Sequence, residues 1–206
     1  MTEAWGELSV REAFGEAARA YVELVRSIPP GSWDGPGLGE WSVRDLVGHT
    51  SRALITVETY LRQPAEIEDV PTPAGYLAAG GAVDAAAVAA RGRDAGRALG
   101  ADPMATIEAL IDRVLALIDR DDNPLITTVA GGMRLDSYLP TRTFELVVHT
   151  FDIAAATSSE PPTYSEQLLS QVVGIASTAA VIRGSGPELL RALTGRQPLR
   201  PDFSVV

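Results

Sequence analysis

Prolines and glycines divide this chain into segments of helical length, and this division is what most constrains its fold. Proline pairs stand at 29–30 and 161–162, a glycine-rich run covers 31–39, and further prolines stand at 64, 124 and 187. Proline removes a backbone donor and clashes with the preceding turn, so helices end at or before these positions. Between the breaks, apolar residues recur at spacings of three and four, which predicts amphipathic helices.

Two serine caps predict where the first two helices begin. Ser9 is followed three residues later by a glutamate, which is the pattern of a capping box, and the helix after it is expected to run to residue 27. Ser42 is expected to cap a second helix over 43–61, and an aspartate again follows three residues later. Trp41 directly precedes this cap and is expected to anchor the start of the helix in apolar surroundings.

The middle of the chain is less regular. Residues 76–99 are rich in alanine and are predicted as one long helix, with a break near Gly80 and Gly81 as the alternative. Asp102 and Pro103 are typical of a helix start, either of a separate helix or of a continuation of the alanine-rich one. Residues 125–135 are ambiguous, and they are interpreted as a short extended segment around a turn at Gly131–Gly132.

The pattern in the last third of the sequence predicts three more helices. They are expected over 138–157, from a cap at Ser165 through Ile182, and from Pro187 to Gly195. The fold class is therefore predicted as all-α: an antiparallel four-helix bundle with one or two additional C-terminal helices. The predicted division is a bundle over 1–160 and a helical extension over 161–206 that packs on it.

Composition narrows the classes of function. Hydrophobic residues make up 46% of the 206, which is enough for a core, but no run is long enough to span a membrane. The N-terminus lacks the features of a signal peptide, so a cytoplasmic location is expected. The net charge is −10 without a basic stripe, so a nucleic-acid partner is not expected. The chain has no cysteine, so a thiol used in chemistry here must be supplied from outside.

The segment RTFELVVHTFDIAAA, at 142–156, carries a line of ionisable residues on an otherwise apolar helix. Glu145 and His149 are one helical turn apart, and Asp152 lies three residues beyond His149 on the same stripe. Because apolar residues flank the stripe on both sides, it is expected to face inward or into a groove. A buried carboxylate is costly unless it is paired or binds a metal.

The only other histidine is His49, on the second predicted helix. It lies at the edge of that helix's apolar face, where a side chain points along a groove between helices. If the two helices are neighbours, His49, Glu145 and His149 supply three ligands and leave one position open, as in catalytic metal sites. The alternative is that Glu145 and His149 form an ordinary pair on a half-exposed face, with His49 an unrelated residue at the core edge.

Two segments carry a resemblance to a known family. LGEWSVRDLVGHTSRAL, at 38–54, resembles the W-[ST]-V-x-D-L-x-x-H signature of the mycothiol-dependent maleylpyruvate isomerase N-terminal domain. RTFELVVHTFDIAAA resembles the second signature of that family, R-x-x-E-x-x-x-H-x-x-D. The resemblance covers roughly residues 8–157. It implies a DinB-like metal-binding four-helix bundle.

The resemblance also implies roles for particular residues. The family's metal ligands correspond to His49, Glu145 and His149, and the metal is expected to be zinc, with nickel found in some DinB-like relatives. Asp152 is expected to orient a ligand without touching the metal itself, or to have a structural role. Arg142 could pair with Glu145 or Asp152, or contact an anionic substrate. Asp45 is expected to serve as a charge at a helix start, with a supporting role behind the metal as the alternative.

The resemblance implies a metal-dependent enzyme that activates mycothiol, or a similar low-molecular-weight thiol, for addition to a small electrophile. About fifty residues follow position 157, fewer than the further domain of the maleylpyruvate isomerases, so the isomerase reaction itself is not expected. Two alternatives are a non-catalytic metal-binding or ligand-binding module and a metal-dependent hydrolase. The apolar C-terminal helix could mediate a homodimer or cover the protein's own core.

Overall fold

The computed structural model describes residues 8–80 and 85–205. This part of the chain contains eight α-helices, a 3-10 turn at Pro30–Ser32 and a two-stranded antiparallel sheet. The helices are α1 (Val10–Ser27), α2 (Val43–Tyr60), α3 (Pro73–Gly80), α4 (Ala85–Ala98), α5 (Pro103–Ile118), α6 (Leu135–Thr157), α7 (Glu166–Ile182) and α8 (Gly186–Leu193). The strands are β1 (Leu125–Thr128) and β2 (Gly131–Arg134). The fold is mostly helical, as predicted, with the small sheet as a departure.

The predicted capping box at Ser9 and the predicted cap at Ser42 are both present, and the second is also a capping box. The Ser9 hydroxyl accepts a hydrogen bond from the Glu12 backbone N–H at 3.2 Å, and the Glu12 carboxylate accepts one from the Ser9 N–H at 2.9 Å. Ser42 and Asp45 make the same reciprocal pair at the start of α2. Because each box satisfies donors that a helix start otherwise leaves unpaired, α1 and α2 begin at the predicted residues.

Helices α1, α2, α5 and α6 pack in a ring around the core. Helices α1 and α2 each contact both α5 and α6. The apolar stripes of the four helices meet inside the ring and bury large side chains: Phe14, Tyr21, Leu46, Leu54, Ile107, Leu139 and Leu146. Burying each of these large side chains contributes roughly 1.5–3 kcal/mol, so this core provides much of the stability.

Ion pairs and hydrogen bonds at the helix ends fix the direction of α5 against α1. Arg11, in the first turn of α1, donates to the Ile118 carbonyl at the end of α5. Arg26, at the other end of α1, pairs with Glu108 near the start of α5. These two helices are antiparallel. Arg11 also bonds Asp136 at the start of α6, so α1 and α6 run in the same direction.

Helices α2 and α5 are also parallel. Arg44 near the start of α2 donates to the Gly100 carbonyl just before α5, and Glu58 near the end of α2 pairs with Arg113. The prediction of an antiparallel bundle was therefore wrong for two of the four neighbouring pairs in the ring. The physical reason is the long connection over 61–102, which returns the chain to the end at which α2 began.

This connection contains α3 and α4. The prediction of one alanine-rich helix crosses residues 81–84, which lie outside the described part of the chain. On either side the helices have different neighbours: α3 packs on α6 and α7, whereas α4 packs on α2. Helix α4 ends before Gly100, whose φ of 71° is left-handed, so α5 is a separate helix.

Helix α4 lies against α2 with almost no side chain between them. A Cβ atom on Gly48 would collide with the backbone of Gly96, and one on Gly92 would lie 2.5 Å from the Trp41 ring. The three glycines therefore allow a close approach of the two backbones. Trp41 is trapped at this contact, where its Nε1 donates to the Ala89 carbonyl at 3.0 Å.

The two strands form a hairpin that turns at 129–130, so the prediction of a turn at Gly131–Gly132 was wrong. Both glycines belong to β2. Gly131 has a φ of 116°, and a Cβ on Gly132 would collide with the Ile67 carbonyl. The Gly132 carbonyl accepts the backbone N–H groups of Asp69 and Val70. The glycines therefore let the 64–70 loop cover the hairpin.

The last helices pack on this assembly. Helix α7 contacts α3 and α6, and α8 contacts α7. Ser165 caps α7 as predicted, and its own N–H and hydroxyl donate to Glu16 of α1. Helix α6 begins three residues earlier than predicted, where the Asn123 side chain accepts the Asp136 N–H. Among the described helices, none has both the length and the apolar character that crossing a bilayer requires.

Candidate metal centre

Three side chains from α2 and α6 meet between these helices. They are His49, Glu145 and His149, and each offers a ligand atom within 4.8 Å of the other two. His149 Nε2 lies 3.3 Å from a Glu145 carboxylate oxygen. The two imidazole rings are nearly perpendicular, with centroids 4.9 Å apart. The structure therefore brings together the three residues that the sequence singled out.

The antiparallel register of α2 and α6 explains why they meet. The Tyr138 hydroxyl donates to Thr56 Oγ1 at 2.8 Å. Thr56 lies seven residues after His49, and Tyr138 lies seven residues before Glu145. Seven residues are close to two full helical turns. The helix faces that meet at Tyr138 and Thr56 therefore also meet at Glu145 and His49.

Both nitrogens of His149 face a carboxylate. Nδ1 lies 2.9 Å from Asp152 Oδ2, on the side opposite to Glu145. Burial lowers the pKa of His149, but the hydrogen bonds to Asp152 and Glu145 outweigh this effect and raise the pKa to about 9. Asp152 therefore lies where a residue that orients the imidazole is expected.

Glu145 is ionised in this environment. Burial alone would raise its pKa, but the contact with His149 and the positive charge of Arg142 lower the pKa to about 2. A carboxylate that stays charged in a largely buried place needs compensation. His149 supplies it in the protonated state, and a cation could supply it when His149 is neutral.

His49 is the member of the group that has a buried ring nitrogen without a hydrogen-bond partner among the described residues. Its Nδ1 is buried and accepts or donates no hydrogen bond within the described chain. Burial chiefly, and then the charge of His149, lower the pKa of His49 to about 4. The Trp41 ring covers one face of the imidazole, with centroids 4.4 Å apart. His49 is thus a neutral imidazole, which is the form that coordinates metals.

The sequence left three roles open for Arg142, and its position in the structure does not support two of them. Its guanidinium lies over the rings of Tyr76 and Tyr138, at 5.3 and 5.0 Å from their centroids, and its Nε donates to Thr141. Among the described residues it makes no ion pair with Glu145 or with Asp152. A direct pairing with either carboxylate is therefore not its role.

Asp45 is a capping residue. Its carboxylate accepts the backbone N–H and the hydroxyl of Ser42. These are the hydrogen bonds that the described chain gives it, so the alternative of a supporting role behind His49 has no contact to rest on. The expectation of a favourable charge at the start of α2 agrees with its position.

Two tyrosines next to the centre were missed by the sequence reasoning. Tyr76 comes from α3, whose position could not be foreseen, and Tyr138 lies just before the motif segment. Their rings contact each other edge to face at 5.6 Å. The sequence offered one signal that Tyr138 is near the centre: it lies two helical turns before Glu145, on the same face of the helix.

Two imidazoles and one carboxylate, with a second carboxylate orienting one imidazole, are a donor set suited to zinc and similar divalent ions. The orphaned Nδ1 of His49 and the ionised Glu145 agree with such a ligand. Three protein donors leave coordination positions open to a small molecule, which is the pattern of catalytic sites.

Comparison with known proteins gives one family. Residues 14–154 match the model of the mycothiol maleylpyruvate isomerase N-terminal domain. The matched segment contains the first motif segment, the second as far as Ala154, and all three members of the centre. Searches among curated proteins and among solved structures give no match.

Proposed function

Because the chain belongs to the mycothiol maleylpyruvate isomerase N-terminal domain family, we propose that it is a metal-dependent enzyme acting with a low-molecular-weight thiol. It would add the sulfur of this thiol to a small electrophile, and mycothiol is the thiol that the family suggests. The single observation that carries the proposal is the convergence of His49, Glu145 and His149 inside the matched segment.

In this proposal these three residues hold a divalent ion. Zinc is the first choice because it accepts two imidazoles and a carboxylate without a geometric preference of its own, and nickel is the second. The bound ion would supply a Lewis acid that lowers the pKa of a coordinated thiol, so that a thiolate is available at neutral pH.

The chain's own residues would prepare this chemistry. Asp152 keeps the proton of neutral His149 on Nδ1, which leaves the Nε2 lone pair directed toward Glu145 and the centre. Trp41 shields His49 from water and restricts the rotation of its ring. The chain contains no cysteine, so no side-chain thiol competes with the cofactor as nucleophile.

We assign the ring of α1, α2, α5 and α6 to the DinB-like four-helix class. The support is the order of directions around the ring, in which the long connection between α2 and α5 makes these two helices parallel. The placement of both histidines on facing helices of the ring agrees with this assignment. We assign α7 and α8 to the C-terminal helical extension that is expected over 161–206.

Metal content tests the first half of the proposal. Purified wild-type protein is expected to contain about one divalent ion per chain by elemental analysis. His149→Ala is expected to lose it, because two remaining donors hold zinc weakly. Glu66→Gln, which removes an exposed carboxylate outside the centre, is the matched control and should retain the metal. Full metal content in His149→Ala would overturn the proposed site.

Thiol binding tests the second half. Mycothiol is expected to raise the melting temperature of the metal-loaded protein, and a mycothiol analogue with a hydroxyl in place of the thiol is expected to have little effect. The metal-free protein should show no thiol-specific increase. Turnover of electrophiles without any added thiol would instead favour a hydrolase. Metal binding with neither thiol binding nor turnover would favour a non-catalytic module.

A further inference from the structure

Two arginines flank the centre on the same side. Arg52 lies three residues after His49 on α2, and Arg142 lies three residues before Glu145 on α6. Because α2 and α6 are antiparallel here, three residues forward on one helix and three residues back on the other lead to the same level. That level is about 4.5 Å along the helix axes from the histidine and glutamate.

Among the described residues, both arginines lack a carboxylate within ion-pair distance, although the charge of Glu145 acts on Arg142. In the part of the chain that the structure describes, no carboxylate forms an ion pair with Arg52 or with Arg142. Toward the described residues, the Arg142 side chain donates only through Nε, to Thr141. The chain has 27 acidic and 17 basic residues, and nine other arginines do pair with carboxylates. Acidic side chains are therefore abundant, but among the described residues none comes within ion-pair distance of either arginine.

The two positive charges act on one another at a partly buried place. Burial chiefly lowers the pKa of Arg52, and the charges of Arg91 and Arg142 lower the pKa further. Like charges that approach in a half-buried site reduce stability unless a counter-charge is present. The same two arginines also lower the pKa of His49, which places them near the centre.

Aromatic rings hold Arg142 without cancelling its charge. Its guanidinium lies over Tyr76 and Tyr138, and Tyr60 contacts the Tyr138 ring at 5.5 Å. A cation over aromatic faces is oriented by the ring quadrupole and keeps its full charge. Its two terminal nitrogens remain available as a fork for an oxyanion.

We propose that Arg52 and Arg142 form an oxyanion-binding subsite beside the His49–Glu145–His149 centre. It would take a carboxylate or phosphate group of a small molecule whose other end reaches the centre. That this molecule is the electrophile rests on the proposed function, whereas anion binding at the two arginines does not. The subsite would then select anionic over neutral electrophiles and set the distance from the charged group to the reacting atom.

Direct titration tests the subsite. Succinate and inorganic phosphate would be titrated by calorimetry into the full-length protein, with and without zinc, at constant ionic strength. At least one of them is expected to bind with saturation at one site per chain. Arg52→Gln and Arg142→Gln should each weaken that binding about tenfold or more, since each removes charged hydrogen bonds. Preference for one anion identifies the oxyanion as carboxylate or phosphate.

Matched variants make the result specific. Arg19→Gln removes an exposed arginine of α1 that forms no ion pair with a described residue, and it should leave anion binding unchanged. Arg142→Lys keeps the charge but loses the planar fork, so it should bind more weakly than wild type and more tightly than Arg142→Gln. If Arg142→Gln unfolds by circular dichroism, Arg52→Gln and Arg142→Lys carry the test.

Two outcomes would overturn the subsite: no saturable binding of either anion, or equal affinity in wild type, Arg52→Gln and Arg142→Gln. Metal content and thiol binding measured on the same samples separate this failure from that of the proposed function. Metal and thiol bound, with anion affinity unchanged by the substitutions, would remove only the subsite. Anion binding lost in the arginine variants, in a protein that binds no metal, would remove only the proposed function.

Discussion

Asp152 Oδ2 lies 2.9 Å from His149 Nδ1, one helical turn further along α6. The imidazole is held by a carboxylate on the side away from Glu145, so its orientation does not depend on a ligand. In the neutral ring the Nδ1 proton is donated to Asp152, and Nε2 is left with a lone pair. Because of this contact, the His149 ring already has the orientation in which it would bind a metal, and it need not rotate first.

Asp152→Asn is expected to weaken zinc binding by about 10–100-fold, as is typical when the partner of a metal-binding histidine is lost. It should also lower the pKa of His149 from about 9 toward the ordinary value, because one of the hydrogen bonds that raise this pKa loses its charge. Competition with a chromophoric chelator measures the affinity, and NMR titration of the ring protons measures the pKa.

The matched control for that substitution is Asp112→Asn, which removes an exposed carboxylate on α5. It should change neither quantity. Wild-type zinc affinity in Asp152→Asn would show that the hydrogen bond to Asp152 has no part in holding the ligand.

Zinc binding near pH 7 is expected to release about one proton. His149, with a pKa of about 9, holds a proton at this pH and must lose it to coordinate. Glu145 and His49, with pKa values of about 2 and 4, have already lost theirs and contribute none. Apparent affinity should therefore rise about tenfold per pH unit up to about pH 9 and then level off.

Calorimetry in buffers of different ionisation enthalpy counts the protons directly. A count near zero at pH 7, together with a flat affinity between pH 6 and 8, would show that His149 is already neutral and that its pKa is not raised.

Gly92→Ala is expected to destabilise the protein by about 1–3 kcal/mol, the usual cost of overpacking. The new Cβ would lie 2.5 Å from the Trp41 ring, so α4 must move away from α2 or the ring must shift. Because Trp41 stacks on His49, a shift of the ring should also weaken metal binding. Urea unfolding and zinc titration measure the two effects.

Gly174→Ala is the control for this substitution, since it lies within α7 and its Cβ would meet no atom within 4 Å. It should be neutral or stabilise by up to about 1 kcal/mol. Equal stability of the two alanine variants would contradict the close contact between α4 and α2.

Tyr138→Phe is expected to cost about 1 kcal/mol in the free energy of unfolding, because it removes a hydrogen bond to Thr56 in the core. Tyr60→Phe, whose hydroxyl makes no hydrogen bond with a described residue, should cost less. Both variants should keep their metal. Loss of metal from Tyr138→Phe alone would show that this bond sets the register of α2 and α6 rather than merely agreeing with it.

Local signals in the sequence predicted the starts of α1, α2 and α7 and the members of the centre. Ser9, Ser42 and Ser165 act within three residues of their own helix, so their effect is visible in any window of the chain. Glu145 and His149 lie one turn apart on the same helix, so their proximity is also visible in a short window of the sequence. Only two histidines exist, so the partner of His149 was limited to His49 once the helices were taken as neighbours.

Features that depend on distant residues were not predicted. Helix α6 begins earlier than predicted because the Asn123 side chain accepts the Asp136 N–H across the hairpin. No local sequence pattern indicates that hydrogen bond. Gly131 and Gly132 were interpreted as a turn, although they are glycines because the 64–70 loop lies directly against them. The tyrosines around Arg142 and the parallel direction of α2 and α5 also depend on where the long connection leads.

The parallel arrangement of α2 and α5 has a consequence for the order of folding. His49 and Glu145 are separated by about a hundred residues, and the chain between them must turn back on itself before α6 can dock beside α2. Such non-local pairings form late, because the entropy of closing the intervening loop is lost before any contact compensates it. An ion at this centre would therefore stabilise only the assembled ring and slow its global unfolding, while leaving the fraying of individual helices unaffected.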